Sequence, residues 1–308
     1  MDQNEAAAAA ALAARFEEHR PRLNAVAYRM LGSLSESEDA VQETWLRLSR
    51  SDSGAVENLG GWLTTVVGRM CLDMLRSRQS RREDSLDVSL GASLDTHVPD
   101  PVVGRMDAVA DPEQEVLLAD SVGLALLVVL ETLAPAERLA FVLHDMFAVP
   151  FDEIAPVVER SAAATRQLAS RARRRVQGSA PAPDTDLAKQ REVVEAWMAA
   201  TKAGDFEALL ELLDPDVVLR ADTGELSSGL SKLVRGAATV AGQAAMFARF
   251  APVSRLVLVN GVPGLVAVPD GEPFSLASFT VVGGRIVEIN IIADRERLAG
   301  LGIPSFDD

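Results

Sequence analysis

Residues 150–177 read PFDEIAPVVERSAAATRQLASRARRRVQ: a short apolar-periodic run, a polar turn at residues 159–161, and a longer run that ends in arginines. That spacing predicts a helix-turn-helix whose second helix starts at Ala162. Pro156 inside the first helix, and Glu159 at the position such turns often give to glycine, leave the boundary open by a residue or two. In the second helix Thr165, Leu168, Ala172 and Val176 share one narrow arc and are expected to face a core. Arg166 and Arg173 point the other way, with Arg171 and Arg174 beside them.

From Arg166 to Gln177 there are five arginines and no acid, in a chain whose formal net charge is −15. A second concentration runs from Arg69 to Arg82, with five arginines against one acid, Asp73. An acidic chain should bind nucleic acid poorly, because phosphate neutralisation supplies most non-specific affinity; the two patches are the exceptions. The plain alternative for each is a solvated, salt-paired helix face. Two basic helical blocks in one chain, with arginines continuing past the helix in RSRQSRR, argue for contact with two separated stretches of DNA.

The surroundings fit a multidomain protein of 308 residues. We expect an all-α domain at 1–82, a Ser/Asp/Pro-rich linker at 83–112, a second all-α domain carrying the helix-turn-helix at 113–178, a short linker at 179–188, and an α+β domain at 189–308. In the first block, helices are expected from about Phe16 to Leu31, from a Ser35–Glu38 capping box onward, and from about Gly61 to Arg78, the last burying Leu63, Val67, Met70, Cys71, Met74 and Leu75. After Asp214 the pattern turns to short β-branched runs, VVLR, RLVLVNG, GLVAVPDG, FSLASFTVVGG and RIVEINIIA. The single Cys71 gives neither a disulfide nor a zinc set, no apolar run reaches membrane length, and no leader is legible. The simplest location is the cytoplasm, with no cofactor and no metal.

SESEDAVQETWLRL followed by GWLTTVVGRMCLDMLRSRQSRRE resembles the second region of an extracytoplasmic-function (ECF) sigma factor, and LETLAPAERLAFVLHDMFAVPFDEIAPVVERSAAATRQLASRARRRV resembles its fourth. KQREVVEAWMAATKAGDFEALLELLDPDVVLRAD and the strands after it resemble a SnoaL-like, NTF2-fold domain, so the expected third domain is an NTF2-like cone. The combination is similar to the ECF subgroup in which such a domain is fused to the C-terminus.

The resemblance implies core RNA polymerase and promoter DNA as partners. Asp39, Val41, Gln42, Glu43, Trp45 and Leu46 would dock on the polymerase clamp. The loop at Asp52–Gly60, with Asn58, would hold a flipped base of the −10 element, and Arg69, Arg76 and Arg78 would meet the adjoining duplex. Ser161, Arg166, Gln167 and Arg171 would lie at the −35 major groove, where Arg and Gln can read base edges, while Arg173, Arg174 and Arg175 hold phosphates.

The family's Trp-Leu-Pro-Glu-Pro linker motif corresponds to His97, Val98, Pro99, Asp100 and Pro101, without the Trp. Its Asp-Gly-Gly-Gly-Lys motif corresponds to Asp222, Thr223, Gly224, Glu225 and Leu226, keeping only Asp222 and Gly224. Pro99, Asp100, Pro101, Asp222 and Gly224 are therefore the expected regulatory contact between the C-terminal domain and the sigma part, made differently or more weakly here.

Two other readings compete. A stand-alone DNA-binding regulator could sense a small ligand in the C-terminal pocket, but it leaves EDAVQETWLRL without a role. A SnoaL-like enzyme would need acid/base groups, yet His19, His97 and His144 all precede the block, leaving Asp222, Glu288 and Asp294, with Asn290 beside Glu288. No reaction is expected, and Trp197 is read as core packing.

Overall fold

The computed structural model describes residues 3–50, 58–84, 96–106, 123–179, 183–224, 232–246 and 248–306. The chain divides into two compact units, one of residues 1–86 with 129–179, the other of 87–128 with 180–308. The two helical blocks, expected as separate domains on a tether, thus share one unit. Part of the expected linker belongs to the other.

In the first unit α1 (Gln3–Leu31) runs further back than expected, since the alanine-rich start has high helix propensity. Gly32, at φ 67°, ends it. The second helix, α2 (Leu34–Arg50), starts ahead of the expected capping box, and Ser35 lies in its first turn with its hydroxyl 3.3 Å from that of Ser33. The third, α3 (Leu59–Asp84), begins at Asn58, whose Oδ1 accepts the Gly61 amide (3.0 Å). Leu23, Val41, Leu48, Leu63, Val67 and Cys71 are fully buried, while Met70 and Met74 are only half-buried.

After α4 (Leu124–Glu131), Pro135 opens α5 (Pro135–Phe141), which passes into a wide π-type turn at Val142–Met146. Then come α6 (Phe151–Val158) and α7 (Ala162–Ser179), the latter starting where the sequence predicts. Glu159 adopts the left-handed φ 57°, ψ 44° that glycine takes more easily. The buried stripe of α7 is Thr165, Ala169 and Ala172; Leu168 and Val176 are half-buried, so the arc is rotated slightly from the expected one.

The two blocks pack at Gly68, where a Cβ would sit 3.2 Å from both Leu139 and Leu143. Arg138, itself buried, donates to the Met30 carbonyl at the end of α1 (2.7 Å). Arg22 donates to the Phe147 carbonyl (2.8 Å), and Arg22 and Arg29 lie 5.4 and 4.9 Å from the Phe147 ring centre.

The second unit is a helix-backed mixed sheet. Its helices are α8 (Leu187–Ala203), α9 (Phe206–Leu212), α10 (Ala237–Met246) and α11 (Arg295–Gly300). Its strands are β1 (Val103–Arg105), β2 (Leu213–Asp222), β3 (Lys232–Arg235), β4 (Ser254–Val259), β5 (Val262–Ala267), β6 (Ser275–Val282) and β7 (Arg285–Ile292), ordered β1-β4-β5-β6-β7-β2-β3. Among the described residues, β2 and β7 pair in parallel and the other strand pairs are antiparallel. Side chains alternate across each strand. Leu219, Ala221, Ile289 and Ile291 therefore face inward to a cavity of about 400 Å³, while Arg220, Asp222, Glu288 and Asn290 take the other face. Trp197 is both core and cavity wall. Asp184 fixes the entry to the domain by accepting the Gly283 and Gly284 amides (2.9 and 3.0 Å).

Candidate functional site

On α7, Ser161 caps the helix through its hydroxyl, which accepts the Ala164 amide (3.2 Å). Arg166, Gln167, Arg171, Arg174 and Arg175 are exposed. The acids absent from the helix come from its neighbours. Arg171 donates to Glu137 (2.8 Å), Arg173 to Asp145 through Nε (2.8 Å), and Arg175 to the Thr132 carbonyl (3.2 Å) with Glu137 at 4.0 Å. Arg166 stands 5.3 Å from the Phe151 ring centre.

Solvent-facing pairs of this kind are worth only about 0–1 kcal/mol and yield to a phosphate. Replacing Glu137 by Gln together with Asp145 by Asn should therefore strengthen non-specific duplex binding by the whole chain. The salt slope should steepen by about 0.9 for each further phosphate neutralised. An unchanged slope in a fluorescence-anisotropy titration would mean that these arginines do not meet phosphate.

On α2, Asp39 and Gln42 are exposed, Glu43 lies 3.4 Å from Arg47, and Leu46 keeps 42% of its surface in solvent. Trp45 is half-buried, its ring centre 5.2 Å from that of Phe16. Val41 is a correction: at 0% exposure it anchors α2 in the core and presents nothing outward.

On α3, Arg69 and Arg76 are exposed, Arg76 lying 3.9 Å from Asp73. Arg78 is a second correction. It is ion-paired with Glu36 and donates to the Leu31 carbonyl (3.2 Å), bracing the α1–α2 corner from inside. Of the loop expected to hold a base, residues 52–57 lie outside the described residues; Asn58 is exposed, with Oδ1 committed to the cap.

The expected regulatory residues do come together, within the second unit. Residues 96–106 form a strap on the sheet, and Val98, Pro99, Pro101 and Val102 are buried. Asp222 Oδ2 accepts the Val98 amide (3.0 Å) and Arg297 Nη1 (2.6 Å), with His97 Nδ1 at 3.1 Å. Asp222 Oδ1 accepts the Gly224 amide (3.1 Å). Arg297 also donates to Asp100 through Nε and Nη2 (3.0 and 2.7 Å) and to the Val98 carbonyl. Gly224 cannot carry a side chain, since at φ 78° its Cβ would fall 1.9 Å from Asp294 Oδ2. Glu225 and Leu226 lie outside the described residues.

Further along, Asn260 Oδ1 accepts the Val102 amide (2.7 Å), and the Asn260 backbone N–H donates to the Val102 carbonyl (2.8 Å). Strand β1 then pairs with β4, Val103 opposite Val259. Sequence reading missed Arg297 and Asn260. RERL in the last helix and the Asn-Gly hairpin turn were visible, but neither signals a partner so distant in sequence.

Burial pushes the Asp222 carboxyl upward. The His97 and Val98 hydrogen bonds, the Arg297 charge and the Gly224 amide outweigh it and hold the group well below the usual carboxylate range. Burial likewise pulls Arg297 down, and Asp100 and Asp222 raise it further than burial lowers it. A depressed folded-state pKa gives stability that is full above the unfolded value of about 3.9 and is lost as pH falls. Protection of the Val98 amide from hydrogen exchange should thus carry no Asp222-dependent change from pH 8 to about 5, and should weaken only below about pH 4.

The three carboxylates weighed for catalysis are all engaged. Asp222 holds the strap, Glu288 accepts from Arg220 (2.9 Å), and Asp294 caps α11 by accepting the Glu296 amide (2.9 Å). None lines the cavity. Among the described residues, no three His, Cys, Asp or Glu side chains group as a metal site, and no helix is long and apolar enough to cross a membrane.

Residues 15–81 match the family described as Sigma-70 region 2, and residues 123–176 match Sigma-70, region 4. The ECF RNA polymerase sigma factor SigJ of Mycobacterium tuberculosis is 39% identical over 300 residues, covering 92% of each chain. The probable ECF RNA polymerase sigma factor SigI of the same species is 35% identical over 289 residues, covering 93% of this chain and 94% of that one. The crystal structure of M. tuberculosis SigJ superposes with a TM-score of 0.72 at 36% identity, over 95% of this chain and all of that one.

Proposed function

Because the chain belongs to the extracytoplasmic-function sigma factors, which direct RNA polymerase to promoters and are not enzymes, we propose which surfaces do this and how the C-terminal domain modulates it. Asp39, Gln42, Glu43, Trp45 and Leu46 dock α2 on the polymerase clamp in the cytoplasm. Arg69 and Arg76 meet DNA beside the −10 element. Arg166, Gln167 and Arg171 read the −35 major groove while Arg173, Arg174 and Arg175 hold its phosphates. The C-terminal domain acts by capturing the linker between the two sigma regions, and release of that linker raises transcription.

The observation that carries this reading is the strap, since a segment between the two DNA-reading regions is hydrogen-bonded into the sheet of the fused domain. The packing of region 4 on region 2 adds to it. Elements at −10 and −35 lie about 25 base pairs apart, roughly 85 Å at about 3.4 Å per base pair, which two regions in contact at Gly68 do not span. Polymerase must part them, so the free chain binds a promoter weakly.

The test is transcription by core polymerase supplied with the whole chain. Leu46→Asp should abolish polymerase binding with the melting temperature unchanged, whereas Val41→Ala should cost roughly 2 kcal/mol of stability and leave the docking surface in place. No polymerase binding by the unaltered chain, and no transcript from any promoter, would overturn the reading.

A further inference from the structure

The inward face of the C-terminal sheet has no part in the function proposed so far. Its cavity, about 400 Å³, is of a size that takes small organic ligands. The wall is mainly apolar and aromatic. Trp197 and Phe279 meet edge to face at 6.0 Å, and Phe250 and Phe274 stack at 4.4 Å. Among the described residues no carboxylate or histidine lines it; a charged lining group is Lys232, exposed and therefore at the mouth, with Gln243 also in the wall. Aromatic walls with a lysine at the rim suit an apolar molecule of about two or three rings bearing one anionic group.

The same wall reaches the strap. Ala221, Thr223 and Ala293 line the cavity, and Asp222 lies between the first two with its side chain on the opposite face of the strand. The Ala293 amide donates to the Asp222 carbonyl (2.8 Å), and the next residue, Asp294, caps the helix that carries Arg297. We propose that this cavity is a site for a compact apolar anion, with Lys232 recognising the charge, and that occupancy loosens the strap by shifting Ala221, Thr223 and Ala293. The direction follows from geometry: Ala221 and Thr223 flank Asp222 and Ala293 bonds to its carbonyl, so displacing these wall residues moves Asp222 away from the Val98 amide and Arg297 that it holds. The coupling to transcription rests on the linker-capture reading; the binding site does not.

The test uses the whole chain without polymerase and two fluorescent probes, anilinonaphthalene sulfonate and its uncharged analogue phenylnaphthylamine. One saturable equivalent of each is expected. Lys232→Ala, an exposed change, should weaken the sulfonate about tenfold and leave the uncharged probe unaffected. Ala277→Trp, which fills the cavity, should remove both. Saturation with the sulfonate should speed hydrogen exchange at the Val98 and Val102 amides. Absence of saturable binding, or equal binding of the sulfonate to both variants, would overturn the site. Binding without a change in exchange would overturn its link to the strap. Either failure leaves the transcription test standing.

Discussion

Arg297→Ala is expected to loosen residues 97–100 of the linker from the C-terminal sheet. The guanidinium joins Asp222, Asp100 and the Val98 carbonyl, so its loss leaves a buried Asp222 carboxylate without its cation and removes the bonds to Asp100 and Val98, while the Asn260–Val102 bonds stay in place. Removing one partner of a buried ion pair costs about 3 kcal/mol, roughly a hundredfold in the docking equilibrium. The Val98 amide should then exchange about a hundredfold faster, while core amides of α8 such as that of Val194 keep their protection. Arg297→Lys should restore little, because an ammonium cannot span three acceptors that a planar fork reaches together. With core polymerase, the released chain should give more transcript than the unaltered one. Faster exchange with unchanged transcript would separate the strap from regulation.

Arg166→Ala combined with Gln167→Ala is expected to lower transcription from the cognate promoter by about two orders of magnitude. Both side chains project from the exposed face of α7 two turns or less from its capped start, and neither is engaged by Glu137 or Asp145. Each base-edge contact is worth about 1–3 kcal/mol of discrimination, and its loss should relax preference at particular −35 bases. Arg174→Ala should weaken all sequences alike and flatten the salt dependence. A promoter-position scan separates the two patterns, and a uniform loss in the first variant would move Arg166 and Gln167 from reading bases to holding phosphate.

The helical parts were legible because their signals are local. Pro135 at a helix start, the left-handed corner at Glu159 and the start at Ala162 follow from neighbouring residues, as do the five longer β-branched strands. What the sequence withheld was direction and partnership. Arg78 and Arg138 carry the same charge as Arg69 and Arg166, yet they turn inward to the Leu31 and Met30 carbonyls, and only the packing decides which way a guanidinium goes. Strand β1 is three residues in a stretch with no period, and β3 is four, so neither leaves a pattern to read. The missing Trp and glycines suggested a weakened regulatory contact. The strap is instead held to the sheet in large part by groups a motif comparison does not weigh, the Val98 amide and carbonyl and a distant arginine.

The strap also orders events in time. Val102 and Asn260, which bond to each other, are 158 residues apart, and the whole sigma portion to Ser179 is made before β4 exists. At ordinary rates of translation the remaining residues take on the order of ten seconds. During that interval a nascent chain carries both DNA-reading regions with nothing yet synthesised to hold the segment between them. On the linker-capture proposal, restraint is therefore the last property acquired at birth, and a ribosome stalled beyond Ser179 would present the sigma part in its unrestrained form.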